Sequence, residues 1–271
     1  MRVSSRFGVI ASLVVLVGGM PAQQAMAAEG DDDAVEMVVG SPPMTSDDTG
    51  TPGAGGIELN VIVSGEWSSD SRRYELPSLD VNVGAGETVQ LTFELPYAIE
   101  QVDVPRAGGG ERSVTTSGTG DFEKGVKWRF YDHDGLAFAV FPKFVTRTSH
   151  RDDFEGPSSR LVLPLLMTRE YERWAMTANL GVEKPNGEPT AWFASFGAGT
   201  RLSDKVALLA EIAGTGLQDS DERRLAANVG LRRQLDPSHV FAIAVGREVS
   251  VPDGESHATT LTATVQWIFE P

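Results

Sequence analysis

From residue 57 to the end of the chain, apolar and polar residues alternate with a period of two. The pattern is clearest over 87–95, which reads ETVQLTFEL, and over 261–269, where Leu261, Val265 and Phe269 share one face. Strict alternation of this kind predicts β-strands with two unlike faces. No stretch after residue 57 shows the 3.6-residue period of a convincing amphipathic helix.

Twelve segments carry this alternation, and most are ten to thirteen residues long. Ordinary globular strands have ~5–6 residues, whereas a tilted strand that crosses a bilayer needs ~9–11. The length therefore predicts an all-β fold, an antiparallel up-and-down transmembrane β-barrel of about twelve strands. The predicted strands span 57–67, 73–84, 87–97, 121–132, 135–147, 159–170, 173–184, 189–202, 205–214, 222–234, 238–248 and 257–269.

The connections between these segments alternate between short turns and longer polar loops, as they do in outer-membrane barrels. The short turns fall at 84–86, 132–135, 170–173, 202–205 and 235–239, and the loops fall at 68–72, 98–120, 148–158, 184–189, 215–221 and 249–256. The longest loop, 98–120, contains three consecutive glycines, and we expect it either to constrict the barrel mouth or to lie on the surface.

The five tryptophans indicate which face meets lipid. Trp67 and Trp192 come next to long loops, whereas Trp174, Trp267 and Trp128 come near the short turns. Two aromatic belts are typical of a barrel whose apolar face meets lipid at two interfaces. The alternative is a soluble barrel in which the tryptophans form the core.

Residues 1–56 precede the alternating region. Residues 1–27 have the parts of a secretory signal peptide, namely Arg2 and Arg6, an apolar stretch over 7–19, and the small residues at 25–27. Residues 28–56 are rich in Asp, Pro and Gly, which predicts a disordered leader. The expected organisation is thus a signal peptide over 1–27, a leader over 28–56 and an outer-membrane barrel over 57–271.

Composition narrows the classes of partner. The chain has 23 Lys and Arg against 38 Asp and Glu, a formal net charge of -15, and no cysteine. This balance argues against nucleic-acid binding, which depends on basic residues, and the lack of cysteine excludes disulfides and thiolate sites. The expected partners are outer-membrane lipid, the barrel assembly machinery and a small-molecule solute.

If the apolar face points outward, charged residues of both signs point into the lumen. Twelve strands enclose a wider lumen than the eight that side chains can just fill. Such residues either line a water-filled path or pair across the lumen and plug it. The predicted lumen-lining residues are Glu58, Asp80, Glu94, Lys127, Arg129, Lys143, Arg147, Arg160, Glu183, Arg201, Glu211, Arg224 and Arg232.

The candidate catalytic chemistry is sparse. An outer-membrane hydrolase needs a serine with a histidine base in reach, and His257 with Thr259 is the nearest approach to such a pair. No catalytic residue, metal site or cofactor is predicted. Three alternatives stay open: a passive channel, a plugged structural barrel, and a hydrolase.

Three stretches resemble putative outer-membrane transporters of the meta-pathway of phenol degradation family. They are SGTGDFEKGVKWRF over 117–130, PGAGGIEL over 52–59 and RLSDKVALLAE over 201–211. The resemblance implies an outer-membrane barrel that passes small, possibly aromatic, compounds, and it implies no catalytic or ligand residue. The end of the chain also resembles the assembly signal of outer-membrane barrels, although Glu270 and Pro271 follow the terminal aromatic Phe269.

Overall fold

The computed structural model of the chain describes residues 35–105, 110–148, 157–218 and 220–270. Within these ranges no helix is long and apolar enough to cross a membrane. The described residues form fourteen strands: β1 (Ile57–Trp67), β2 (Ser71–Gly86), β3 (Val89–Pro105), β4 (Glu111–Thr119), β5 (Asp121–His133), β6 (Leu136–Val140), β7 (Lys143–Arg147), β8 (Ser159–Glu170), β9 (Trp174–Pro185), β10 (Ala191–Ser203), β11 (Val206–Leu217), β12 (Arg223–Asp236), β13 (His239–Ser250) and β14 (Thr259–Phe269).

These strands make one closed antiparallel barrel with twelve strand positions. β4 and β5 are successive parts of one barrel strand, interrupted at Gly120, and β6 and β7 are parts of the next, interrupted at Phe141 and Pro142. The barrel closes where β1 pairs with β14, from Ile57 opposite Phe269 to Trp67 opposite Thr259. The predicted fold class and strand number are confirmed.

The two faces of the barrel are the reverse of those in a soluble protein. Large apolar side chains are exposed on the outside, among them Leu180 with 61% and Phe196 with 50% of its surface accessible. Charged and amide side chains are buried inside, including Glu58, Lys127 and Arg232. An exposed apolar band around a polar interior is the distribution found in transmembrane barrels.

Aromatic side chains collect near both ends of the strands. At the end with the longer loops, hereafter the long-loop end, Trp67 donates a hydrogen bond from Nε1 to the Tyr74 hydroxyl at 3.1 Å. At the opposite, short-turn end, Tyr171 stacks on Trp174 with ring centroids 3.9 Å apart, and Trp128 is 53% exposed. This arrangement fits the interfacial belts predicted from sequence.

The connection 98–120 is a hairpin rather than the long loop predicted from sequence. β3 continues to Pro105 and pairs with β4, from Tyr97 opposite Thr119 to Pro105 opposite Glu111. Most of β4 is exposed, and among the described strands β4 pairs with β3 alone. The described part of this hairpin therefore extends the barrel wall instead of folding into the mouth.

Candidate functional site

The lumen is the candidate functional site, and all thirteen predicted lumen-lining residues are shielded from solvent at least in part. Nine are buried and four arginines are half-buried. The half-buried residues are Arg129, Arg147, Arg201 and Arg224. The thirteen residues do not form one cluster. They are spread over most of the lumen and have different partners. Their role in lining a solute path stays a prediction.

The interior is occupied by a stretch of chain that was expected to lie outside the barrel. Residues 35–56, hereafter the lumen segment, have irregular backbone and are mostly buried, with Val35 and Val39 at 0% exposure and Asp48 at 1%. The prediction of a disordered leader is therefore wrong for 35–56, while 1–34 lie outside the described residues. Because the barrel wall itself supplies the burial, the segment needs no apolar period of its own.

The lumen segment enters from the short-turn end, turns near the middle of the barrel and returns. Val35 donates its backbone N–H to the Asp204 carbonyl at 2.6 Å, and Arg201 donates to the Val35 carbonyl at 3.4 Å. After the bend near Met44, the chain comes back to the same end, where the Thr51 hydroxyl donates to the Glu87 carbonyl at 2.9 Å. The segment thus fills the short-turn half of the lumen as a folded-over strap.

Side chains of the barrel satisfy the backbone groups of the lumen segment. Glu211 accepts from the backbone N–H groups of Thr45 at 3.1 Å and Ser46 at 2.6 Å. Asn179 accepts from the Asp47 N–H and donates to the Asp47 carbonyl, both at 2.7 Å. An irregular segment in a closed lumen needs such partners, because a buried unpaired backbone group is costly.

Ion pairs hold the bend of the segment against the wall. The carboxylate of Asp47 lies 2.9 Å from Lys143 Nζ, and that of Asp48 lies 3.6 Å from Lys127 Nζ. Both ammonium groups also face the ring of Phe141, at 4.4 Å for Lys143 and 5.1 Å for Lys127, which adds cation–π attraction. Burial raises the pKa of Asp47 to about 7, although the two lysine charges oppose that rise.

Two further arginines of the predicted set have identified partners. Arg232 Nη1 lies 2.9 Å from a carboxylate oxygen of Glu36 and donates to the Val38 carbonyl at 3.3 Å. Burial raises the pKa of Glu36 to about 8, with Arg232 acting against the rise. On β8, Arg160 pairs with Asp121 at 2.8 Å and with Glu183 at 3.5 Å.

Glycines let the segment approach the wall closely. A Cβ atom on Gly199 would lie 1.9 Å from the Met37 carbonyl oxygen, and one on Gly84 would lie 1.5 Å from the Gly53 carbonyl oxygen. Neither position has room for a side chain while the lumen segment is in place. These two glycines of the wall therefore make room for the backbone of the lumen segment.

A polar wall runs along the inner face of β1, β2 and β3. Asn60 and Asn82 both donate to the Asp80 carboxylate, at 2.8 and 3.0 Å, and Gln90 donates to the Asn82 side-chain oxygen at 2.6 Å. Glu94 accepts from the Ser78 hydroxyl at 2.7 Å. Cross-strand hydrogen bonds of this kind fix the wall side chains in place and leave the space of the lumen to the segment.

The long-loop half of the lumen contains a cavity of about 1170 Å³, counting the space that opens to solvent. Its floor includes Pro43, Thr45 and Asp47 of the lumen segment. Its walls come from β1, β2 and β9–β14, and they carry both small apolar residues and charged ones. The cavity and the lumen segment thus divide the lumen between them along the barrel axis.

The candidate hydrolase pair does not assemble. Nδ1 of His257 lies 2.9 Å from the Glu248 carbonyl oxygen, and the Thr259 hydroxyl accepts a hydrogen bond from Arg247 at 2.8 Å. Among the described residues, no three of the types His, Cys, Asp and Glu are arranged to hold a metal ion.

Sequence reasoning missed Glu36, Asp47, Asp48 and Phe141 as lumen residues. The first three lie in the stretch assigned to the leader, and Phe141 lies at the interruption between β6 and β7, where the alternation breaks. The break itself, an FP dipeptide inside an otherwise regular strand, is the one signal that could have identified Phe141.

No family model and no curated protein matches the chain. Solved structures do. An outer membrane channel from Pseudomonas putida F1 is 14% identical, covers 80% of this chain and 96% of its own, and superposes with a TM-score of 0.65. The KdgM porin (10% identity, 78% and 99% coverage, TM-score 0.55) and the translocator domain of the autotransporter NalP from Neisseria meningitidis (11%, 78% and 88%, 0.53) are also similar. At these identities the likeness shows the fold, which is that of a twelve-stranded outer-membrane-type barrel.

Proposed function

We propose that the protein is a passive outer-membrane channel for small molecules whose lumen is closed, in the state described above, by the lumen segment. The observation that carries the proposal is the combination of an apolar exterior with a polar lumen cavity that has the segment as its floor. The likeness in fold to an outer membrane channel and to a porin supports it. Passage requires the segment to move, because it fills the short-turn half.

The lumen segment is built in a way that allows such movement. It has no secondary structure and is attached to β1 through residues 53–56, where Gly53 and Gly55 adopt positive φ angles of 75° and 80°. Its contacts with the wall are hydrogen bonds, ion pairs and the packing of apolar side chains such as Val39 and Met44 against Leu209. Without it, the barrel would keep every strand pairing, and a lumen of twelve strands is wide enough for a solute path.

The finer parts of the proposal rest on sequence. We place the chain with the transporters of the meta-pathway of phenol degradation family on the stretches 117–130, 52–59 and 201–211, and we propose export through the signal peptide over 1–27. An outer-membrane location, insertion by the barrel assembly machinery and a small aromatic or hydrophobic solute follow from this placement.

Conductance in planar bilayers tests the proposal. The exported chain is compared with a variant lacking residues 35–50, both checked for a folded barrel by the change in gel mobility on heating. We expect brief, rare openings of the complete protein and a sustained conductance of the variant. If both barrels fold and neither conducts, the plugged structural barrel is the better description. Ester or lipid turnover lost in His257→Ala would instead support the hydrolase.

A further inference from the structure

The cavity in the long-loop half has an uneven distribution of charge. Its lining includes Glu66 and Arg73, which face each other across the β1–β2 pair, Glu75 on β2, Arg224 on β12 and Glu248 on β13. A charge in a partly enclosed site needs a partner. The class of solute that the cavity accepts therefore depends on which of these charges have no partner in the protein.

Both inward-facing arginines already have carboxylate partners. Arg73 Nη2 lies 3.3 Å from Glu75 Oε1, and Arg224 Nη1 lies 3.1 Å from Glu248 Oε1. Arg224 also contacts the carboxylate of Glu255 through Nη2. The third arginine of the lining, Arg247, has its side chain on the exposed face, where it donates to Thr259. The positive charges of the cavity are therefore neutralised by the protein itself.

Two carboxylate groups of the lining have oxygen atoms that receive no hydrogen bond from the described residues. Within the described part of the chain, Glu66 takes part in no hydrogen bond or ion pair, although it is half-buried in the wall and Arg73 and Arg224 lie near enough to act on its charge. On the floor, Asp47 is 3% exposed, and its Oδ1 atom has no hydrogen-bond donor among the described residues, while Oδ2 pairs with Lys143. Of these two carboxylates, that of Glu66 is open to a ligand in the cavity, because Oδ1 of Asp47 is itself buried. A carboxylate oxygen without a donor is a position that a ligand donor would satisfy.

The rest of the lining is apolar or weakly polar. Phe193, which is 6% exposed, lines the cavity together with the small apolar residues Ala213, Ala226 and Ala244. Hydroxyl groups of Ser64 and Thr262 line the opposite side. The cavity therefore combines an available carboxylate, that of Glu66, with a surface suited to hydrocarbon.

We propose that this cavity binds small organic ammonium ions, with the ammonium group accepted by Glu66 and the hydrocarbon part against the small apolar residues of the wall. This inference names a solute class for the proposed channel and, for passage, rests on that function. Carboxylates repel anions, and a neutral alcohol offers one donor where an ammonium offers three and a charge.

Binding is tested on the complete exported chain, folded in detergent micelles, by saturation-transfer NMR. The probes are butylammonium, butyrate and 1-butanol, which share a four-carbon chain and differ in charge. We expect butylammonium to bind and Glu66→Gln to weaken that binding about tenfold, the loss expected when a charge-assisted hydrogen bond becomes a neutral one.

Glu222→Gln is the matched control, because Glu222 is an exposed residue at the same end of the barrel and outside the cavity lining. It should leave butylammonium binding unchanged. Equal binding of all three probes, or full affinity in Glu66→Gln, would overturn the inference. Butylammonium binding by the complete chain and the conductance and reversal potential of the variant lacking 35–50 separate the two proposals. Binding without conductance refutes the channel alone. Conductance without binding refutes the cation site alone.

Discussion

Lys143 is the side chain that most directly joins the lumen segment to the barrel. Its ammonium group lies 2.9 Å from Asp47, 3.3 Å from Glu123 and 4.4 Å from the centre of the Phe141 ring. The residue is 2% exposed. Removing one member of a buried ion pair is strongly destabilising, because the other charge stays in a poorly solvating environment.

We therefore expect Lys143→Met to release the lumen segment. Undocking should become more favourable by about 3 kcal/mol, the magnitude for a broken buried pair, which is roughly a hundredfold in population. Since the chain has no cysteine, a single Val39→Cys reports undocking through its rate of maleimide labelling in the folded barrel. Val39 is 0% exposed while the segment is docked.

Lys205→Met serves as the control, because Lys205 is an exposed lysine in the turn between β10 and β11. It should leave the labelling rate unchanged. An equal rate in Lys143→Met and the control would show that the ion pair does not hold the segment.

For single residues, the sequence indicates which face of a strand a side chain is on but not which residue it contacts. Alternation predicts that Lys127, Lys143 and Glu211 face inward, and all three are buried in the structure. The partners of the two lysines, Asp48 and Asp47, could not be found from the sequence, because they lie in a stretch without periodicity whose place is set by the lumen around it.

At the scale of elements, the lumen segment behaves as a unit without secondary structure, held by partners on several strands. The hydroxyl oxygens of Ser46 in the segment and Ser195 on β10 lie 2.8 Å apart. This geometry makes the pair a suitable position for a removable covalent link.

The double variant Ser46→Cys/Ser195→Cys should form one disulfide and keep the lumen closed. We expect no channel openings in planar bilayers under oxidising conditions and recovery of openings on adding a reductant. The single variants should behave as the unmodified protein under both conditions. Openings that persist in the fully oxidised double variant would mean that solutes pass without movement of the segment at this point.

The strands were predictable because lipid on one side and a polar lumen on the other impose the same alternation on every one of them. The interval 98–120 was not, because the hairpin of β3 and β4 leaves the region where one face must be apolar. There, Glu100, Gln101 and the serines and threonines of β4 give no regular pattern.

At the scale of the whole molecule, arginine substitutions at different positions along the strands can test whether the apolar face meets lipid. Leu180 in the middle of β9 and Leu202 near the end of β10 are 61% and 60% exposed. An arginine on the lipid face costs about 2–4 kcal/mol at mid-bilayer and about 0–1 near the interface.

Leu180→Arg should therefore lower the free energy of unfolding in phospholipid bilayers by about 3 kcal/mol. Leu202→Arg should lower it by less than about 1 kcal/mol. Urea unfolding followed by tryptophan fluorescence measures both. Equal losses would indicate that the barrel does not sit in the bilayer with β9 spanning it.

Docking of the lumen segment should also depend on pH. Burial raises the pKa of Asp47 from 3.8 to about 7 and that of Glu36 to about 8. The docked state thus binds more protons than the free segment, so docking is strongest below the ordinary carboxyl pKa and weakens as pH rises through 7 to 8. The charges facing Asp47 are Lys143, Lys127 and Glu123, and the two lysines limit the effect.

The conducting fraction in bilayers should consequently increase from pH 5 to pH 9. The double variant Asp47→Asn/Glu36→Gln should remove most of this dependence, since neither replacement titrates. A conducting fraction that falls with pH, or an unchanged slope in the double variant, would contradict the linkage.

The position of the lumen segment in the chain has a consequence for biogenesis. It precedes every strand, yet its partners follow far behind, with Thr168 at 119 residues from Thr49 and Arg232 at 196 residues from Glu36. Contacts of such sequence separation form late. The full set of these contacts can therefore form only when the strands up to β12 are in place, so sealing against leakage belongs to the late steps of maturation.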